Sequence, residues 1–206
     1  MRTPLNNSAA VLCICTLLAA CNTAPKAPYV PPDTEAGKLR SIAYLPLYGI
    51  PVDPPTQTKL SGQWSESWND VYPGTTWIPS SESTSRLINA KATSEWSAGE
   101  ALFLRSGQFE PELLQRLCVA LQAEGVLQGV LFSAKGGETG SLLRFLTPFA
   151  GQPTASSANM SMNLFSCKTL KSSWQGAATI DWSGYTQAQM IEYVHGAVAS
   201  KIAPTK

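Results

Sequence analysis

His195 is the only histidine in the chain, and Glu192 stands three residues before it, in the Glu-x-x-His spacing with which di-iron helical bundles hold metal. Such bundles need two of these pairs and further glutamates, and a single imidazole excludes sites built from several. Three residues apart, Glu192 and His195 share one side of a helix, and the expectation is a solvated surface pair rather than a ligand set. A serine nucleophile would have only His195 as its base, but no Gly-x-Ser-x-Gly elbow occurs to present a hydroxyl to it. Carboxylates could cleave a glycan if Glu66, Asp70 or Asp181 converged in space, though their spacing selects no pair. Lys135-Gly136-Gly137-Glu138-Thr139-Gly140-Ser141 has the glycines of a phosphate cradle, yet its lysine comes first and a strand follows, where a cradle puts Lys near its end and opens a helix. This segment is read as a hairpin connection. The expectation is therefore no catalytic residue, no metal site and no cofactor, and the chain is read as a non-enzyme.

The cysteines point to a different chemistry. Arg2 gives a short positive start, residues 9 to 18 are apolar, and Leu18-Ala19-Ala20-Cys21 places small residues just before a cysteine, which is how an export signal ends. The apolar run is shorter than the roughly 20 residues that span a bilayer, so residues 1–20 are expected to be removed. The tetrapeptide resembles the lipobox of bacterial lipoproteins, Leu followed by two small residues and Cys. That resemblance implies cleavage before Cys21, diacylglycerol on its thiol, and attachment to the lipid bilayer through acylated Cys21. Two or more acyl chains give stable anchoring where one gives marginal binding. Cys13 and Cys15 would leave with the signal. Residues 21–37 hold Pro25, Pro28, Pro31 and Pro32 among small polar residues, a composition that stays extended and solvated and reads as a tether. In lipoproteins of Gram-negative bacteria an Asp after the lipidated cysteine commonly retains the protein at the inner membrane; here the residue is Asn22, which by resemblance favours the outer membrane, facing the periplasm.

Losing the signal removes Arg2 and no acid, so the formal charge of +1 falls to zero. Without a polybasic stretch, neither nucleic acid nor an acidic lipid surface is an expected partner. With 44% hydrophobic and 14% charged residues, residues 38–206 can bury a core as one domain. Cys118 and Cys167 remain. In an oxidising compartment they could pair if their backbones approach within about 7 Å, or stay as two buried thiols.

The elements that position these residues alternate. Ser41 to Leu47 reads as a strand buried on both faces, and Gly49 to Pro55 as a proline-rich loop. Leu60, Trp64, Trp68 and Val71 mark one face of a helix ended by Pro73-Gly74. Thr75 to Ile78 reads as a second strand, after which Ser80 or Ser81 can cap a helix. Ser83 to Gly107 reads as broken helix, and Pro111 opens a clear one with a Leu113, Leu114, Leu117, Cys118, Leu121 stripe, closed by Gly125. Val126 to Phe132 and Leu142 to Phe149 read as strands, then Met160 to Cys167 and Ser173 to Ile180 as a hairpin. Gln187 to Ile202 is a final helix that packs Met190, Ile191, Val194, Val198 and Ile202 on the sheet. The predicted fold class is α/β: a mixed sheet of five to six strands with three to four helices and a hairpin-rich C-terminal half.

Three of these segments, Ser41-Ile42-Ala43-Tyr44-Leu45-Pro46-Leu47, Ala123-Glu124-Gly125-Val126-Leu127-Gln128-Gly129-Val130, and Leu164 to Trp174, resemble motifs of a broad group of envelope lipoproteins that includes penicillin-binding-protein activators and curli-secretion lipoproteins. The resemblance runs from Arg40 to about Ile202. It implies a non-enzymatic lipoprotein whose domain docks on an envelope protein. A glycan hydrolase and a surface adhesive or structural lipoprotein are the alternatives. A docking domain should show an apolar surface patch, and a hydrolase clustered acids in an open cleft.

Overall fold

The structure, a computed structural model, describes residues 35–135, 156–181 and 185–202. Among the described residues six strands form one mixed sheet: β1 (Ser41–Tyr44), β2 (Tyr48–Gly49), β3 (Thr76–Ile78), β4 (Gly125–Lys135), β5 (Ser156–Ser166) and β6 (Lys171–Asp181). The strand order is β3-β1-β4-β5-β6, with β2 also on β4. β1 runs parallel to β3 and β4, whereas β4, β5 and β6 are antiparallel neighbours. Five α-helices among the described residues accompany them: α1 (Pro54–Asn69), α2 (Ser80–Asn89), α3 (Thr93–Ser106), α4 (Pro111–Leu121) and α5 (Gln187–Ala199).

Alternation along the strands divides the core in two. Ile42 and Tyr44 of β1 and Leu127 and Leu131 of β4 join Leu60, Trp64 and Trp68 of α1 and Met190, Ile191, Val194 and Val198 of α5. Ala43, Val126 and Val130 point the other way, to Leu87 of α2, Phe103 of α3 and Leu113, Leu114 and Leu117 of α4. The result is helices on both faces of the sheet, the arrangement that strands apolar on two sides require.

Local chemistry sets the helix ends. Asp53 caps α1, its carboxylate accepting from Thr56 N at 2.9 Å and Thr56 Oγ1 at 2.7 Å, and Pro54 fills the first position, where no N–H is needed. α5 opens with a capping box between Thr186 and Gln189. The broken helix expected from Ser83 to Gly107 is two helices, α2 and α3, which brings the number of helices among the described residues to five. Neither serine caps α2, because Pro79 holds the cap position and Ser80 is already helical. Gly125 does not close α4. Gln122 does so in the left-handed region (φ 51°), and Gly125 opens β4 where a Cβ would lie 2.8 Å from Leu39 Cδ1. The loop expected from Gly49 to Pro55 begins one residue later, because Gly49 closes β2 with φ 90° and a Cβ there would meet the Leu131 carbonyl oxygen.

At the domain's start Ala36 is fully buried, so the last residues assigned to the tether already pack on the core. Residues 136–155, with the glycine-rich connection and the Leu142–Phe149 strand, lie outside the described residues, as do residues 1–34. Among the described residues the antiparallel neighbour of β4 is β5, from Gly125 opposite Ser166 to Lys135 opposite Ser156. Cys118 of α4 and Cys167 after β5 are joined, with sulfurs 2.04 Å apart and Cα atoms 5.7 Å apart. Among the described residues β6 is the outer strand, with an irregular register against β5 at Leu164 and Phe165, and Lys201 Nζ donates a hydrogen bond to its Ala177 carbonyl.

Candidate docking surfaces

The structure separates the residues that could do chemistry. His195 is not a surface residue: it is 0% exposed, its ring edge-on to Trp64 with centroids 5.6 Å apart, and neither ring nitrogen has a hydrogen-bond partner. Burial penalises the imidazolium and pushes the pKa down to about 3. Only Glu192 of the expected pair reaches solvent, where Lys59 Nζ donates to its carboxylate at 2.6 Å. The reason is the breadth of the buried stripe. α5 packs on both the sheet and α1, so its covered face takes in His195 beside Ile191, Val194 and Val198.

Glu66 and Asp70 stand exposed at the end of α1, and Asp181 ends β6. Among the described residues no three of His, Cys, Asp and Glu gather within reach of one metal ion, and no helix is long and apolar enough to cross a membrane.

What sequence reasoning missed is a buried polar network under α3. Trp96 Nε1 donates to Gln128 Oε1 at 2.9 Å, and Gln128 Nε2 donates to Pro46 O at 2.8 Å and Gly129 O at 2.9 Å. Tyr48 Oη donates to Trp96 O at 2.6 Å while its ring stacks on Trp96, centroids 5.1 Å apart, and meets Phe103 edge-on. Burial, with the Glu100 carboxylate adding to it, raises the Tyr48 hydroxyl pKa above its ordinary value. Gln128 is fully buried with its amide satisfied, so the network fixes α3 in one position on β2 and β4 rather than leaving it to slide on apolar contacts.

That fixed layer carries a surface groove of about 380 Å³ between the α2–α3 connection and α4, lined by Lys91, Ala92, Glu95, Arg116, Val119 and Ala120. Val119 is 73% exposed and Ile88 on α2 is 59% exposed, while Arg116 Nε donates to Glu95 across the groove at 2.9 Å. A second aromatic feature lies at the start of α5, where the exposed rings of Tyr185 and Tyr193 meet edge-on at 5.1 Å. A further opening, of about 400 Å³, is lined by Glu35, Lys38, Leu39, Glu124, Cys167 and Lys168. There Lys38 donates to Glu35 at 2.8 Å and holds its carboxyl below the usual range, with Lys168 adding a weaker pull. Arg40 N donates to Glu124 at 2.7 Å.

No protein-family model and no curated protein matches this sequence. Among solved structures the chain is similar to the PelC dodecamer from Paraburkholderia phytofirmans, at 10% identity and a TM-score of 0.44 over 86% of this chain and 98% of that one. It is also similar to lipoprotein GNA1162 from Neisseria meningitidis, at 14% identity and a TM-score of 0.40 over 81% and 98%. The LpoB C-terminal domain from Salmonella enterica is similar at 9% identity and a TM-score of 0.39 over 82% and 92%.

Proposed function

We propose that this chain is a lipid-anchored bacterial envelope lipoprotein, cut before Cys21 and held at the periplasmic face of the outer membrane, whose domain docks on an envelope protein without catalysing a reaction. The Leu18-Ala19-Ala20-Cys21 sequence and the proline-rich stretch after it support the anchor. The observation that carries the docking reading is the groove beside α4. Exposed Val119 stands on α4, which the Cys118–Cys167 link ties to the end of β5, next to the α3 that the Gln128 network fixes. Exposed Ile88 stands on α2, anchored by buried Leu87. Apolar side chains presented on rigid elements are what an interface core is made of.

The test places a photo-crosslinking residue at Val119 in the full-length chain in living cells, with Thr58 on the far face as control. A discrete adduct from Val119 that Thr58 does not give, and that Ile88→Asp removes, is the expected result. Absence of any adduct from Val119 would sink the docking reading. Lipidation is scored separately, by incorporation of an alkyne-bearing fatty acid that Cys21→Ala abolishes.

A further inference from the structure

The end of the domain at which the tether arrives gathers cations from two distant parts of the sequence. The described chain begins at Glu35, on the rim of the opening that also holds Lys38, Glu124 and Lys168. Arg40 is fixed there by its N–H to Glu124, and Lys171 opens β6 opposite Ser166 on the same rim. Lys38, Arg40, Lys168 and Lys171 are all exposed. The acids at this end are Glu35, Glu124 and Asp70. Glu35 is paired with Lys38, and Glu124 keeps its charge because the Arg40 N–H it accepts is a neutral backbone group, so Arg40, Lys168 and Lys171 stand against Glu124 and Asp70. Among the described residues the far end carries Asp53, which caps α1, and Glu110 and Glu112, which open α4.

We propose that the end of the domain bearing Lys38, Arg40, Lys168 and Lys171 rests on the anionic phospholipid headgroups of the membrane that anchors the chain. This rests on the lipoprotein reading for the anchor, but the surface itself is read from the charges. The thirteen residues from 22 to 34 span at most ~45 Å, so an anchored domain stays within that distance of the bilayer. Tethering supplies a millimolar effective concentration, and the surface needs only to choose an orientation. One exposed Lys or Arg near an anionic leaflet shifts such a balance by roughly five-fold, and presenting the acidic end instead is unfavourable. A net excess of one cation is enough to favour the tether end facing down. This proposal departs from the sequence expectation that acidic lipid surfaces are no partner, because these cations come together only when residues 38–40 and 168–171 fold together.

The test uses the mature chain with Cys21 coupled chemically to maleimide lipid, so its outcome does not depend on whether cells acylate that residue. Vesicles contain phosphatidylcholine alone or 30% phosphatidylglycerol, each with a trace of photoactivatable lipid, and adducts are mapped by mass spectrometry. With phosphatidylglycerol, adducts on residues 35–40 and 166–171 should exceed those on residues 185–193 at least five-fold, falling toward parity in 0.5 M salt and in Lys168→Glu/Lys171→Glu. Lys59→Gln, at the other end, should leave the pattern unchanged. An even distribution on both vesicle types, or a bias that the double variant leaves intact, would overturn the proposal. Because acylation of Cys21 is scored separately in cells, a failed anchor and a failed surface give different results.

Discussion

Replacing His195 with leucine should flatten the acid side of the stability curve. The imidazole is neutral in the fold, its pKa held to about 3 by burial against an ordinary value of 6.5, so between those pH values the unfolded chain binds the extra proton. Stability from this residue is therefore complete above pH 6.5 and declines as pH falls toward 3, at about 1.4 kcal/mol per pH unit. Between pH 7 and 4.5 that amounts to a loss of roughly 3 kcal/mol, a large share of the 5–15 kcal/mol typical of a domain. The Leu variant has no group to titrate and leaves no unpaired ring nitrogen beside Trp64, so its stability at pH 7 should be close to wild type. Glu35 and Asp53, whose carboxyls lie below their usual range, contribute stability above their unfolded pKa that is lost as pH falls through the folded value. Both chains share that contribution, and it cancels in the difference. The assay is urea unfolding followed by tryptophan fluorescence at pH 7.0, 5.5 and 4.5, with the two chains compared at each pH. Parallel curves, with a constant gap from pH 7 to 4.5, would falsify the assignment of a buried neutral imidazole.

Further outcomes concern the disulfide, the glutamines and the exposed valine. Cys118→Ser/Cys167→Ser should lower stability by about 4 kcal/mol, the loop-closure contribution of a link across 49 residues, read as a lower urea midpoint; denatured wild-type soluble protein carrying Cys21→Ser should show no reactive thiol before reductant. Gln128→Leu should cost about 2 kcal/mol, since it strips the Trp96 indole of its acceptor and the Pro46 carbonyl of a donor, whereas Gln122→Gly, in the left-handed region, should raise the melting temperature slightly. Val119→Asp should leave thermal stability within about 0.5 kcal/mol of wild type, because a side chain 73% exposed contributes little to the core; a large loss would mean that the residue belongs to the core and not to a docking surface.

The parts of the fold legible in the sequence are those fixed by local periodicity. Leu60, Trp64 and Trp68 at spacings of four face the core as expected, and so do the α4 stripe and Met190, Ile191, Val194 and Val198. His195 follows Ile191 by four and precedes Val198 by three, so the same periodicity places it inside; polarity outweighed spacing in the expectation. Three chain reversals gave no glycine signal, because Lys91, Gln122 and Leu170 take positive φ in glycine's place. That is why α2 and α3 read as one broken helix and why Gly125 reads as a helix stop. The Tyr48–Trp96–Gln128–Pro46 network was out of reach for another reason. Its members are 32 to 82 residues apart, and no local pattern shows that a glutamine in an apolar strand will meet an indole from a distant helix. The tether-end cations are similar: two short segments, each unremarkable in charge, meet only through the register of β4 with β1 and β5.

The contact between Lys201 and the Ala177 carbonyl bears on how the chain survives before it is complete. An outer strand of eleven residues offers main-chain groups to any passing chain, and a lysine is one of the devices by which natural sheets discourage that. Here the guard comes from the far side of the last helix, so it is in place only once α5 has docked. A chain delivered N-terminus first would have β5 and β6 available while α5 was still emerging. During that interval the bare edge of β6 is the surface most open to self-association, and the C-terminal helix acts as the closing latch of the sheet. Lys201→Met should therefore show its effect in the yield of monomer on refolding at high protein concentration, far more than in the stability of the finished domain.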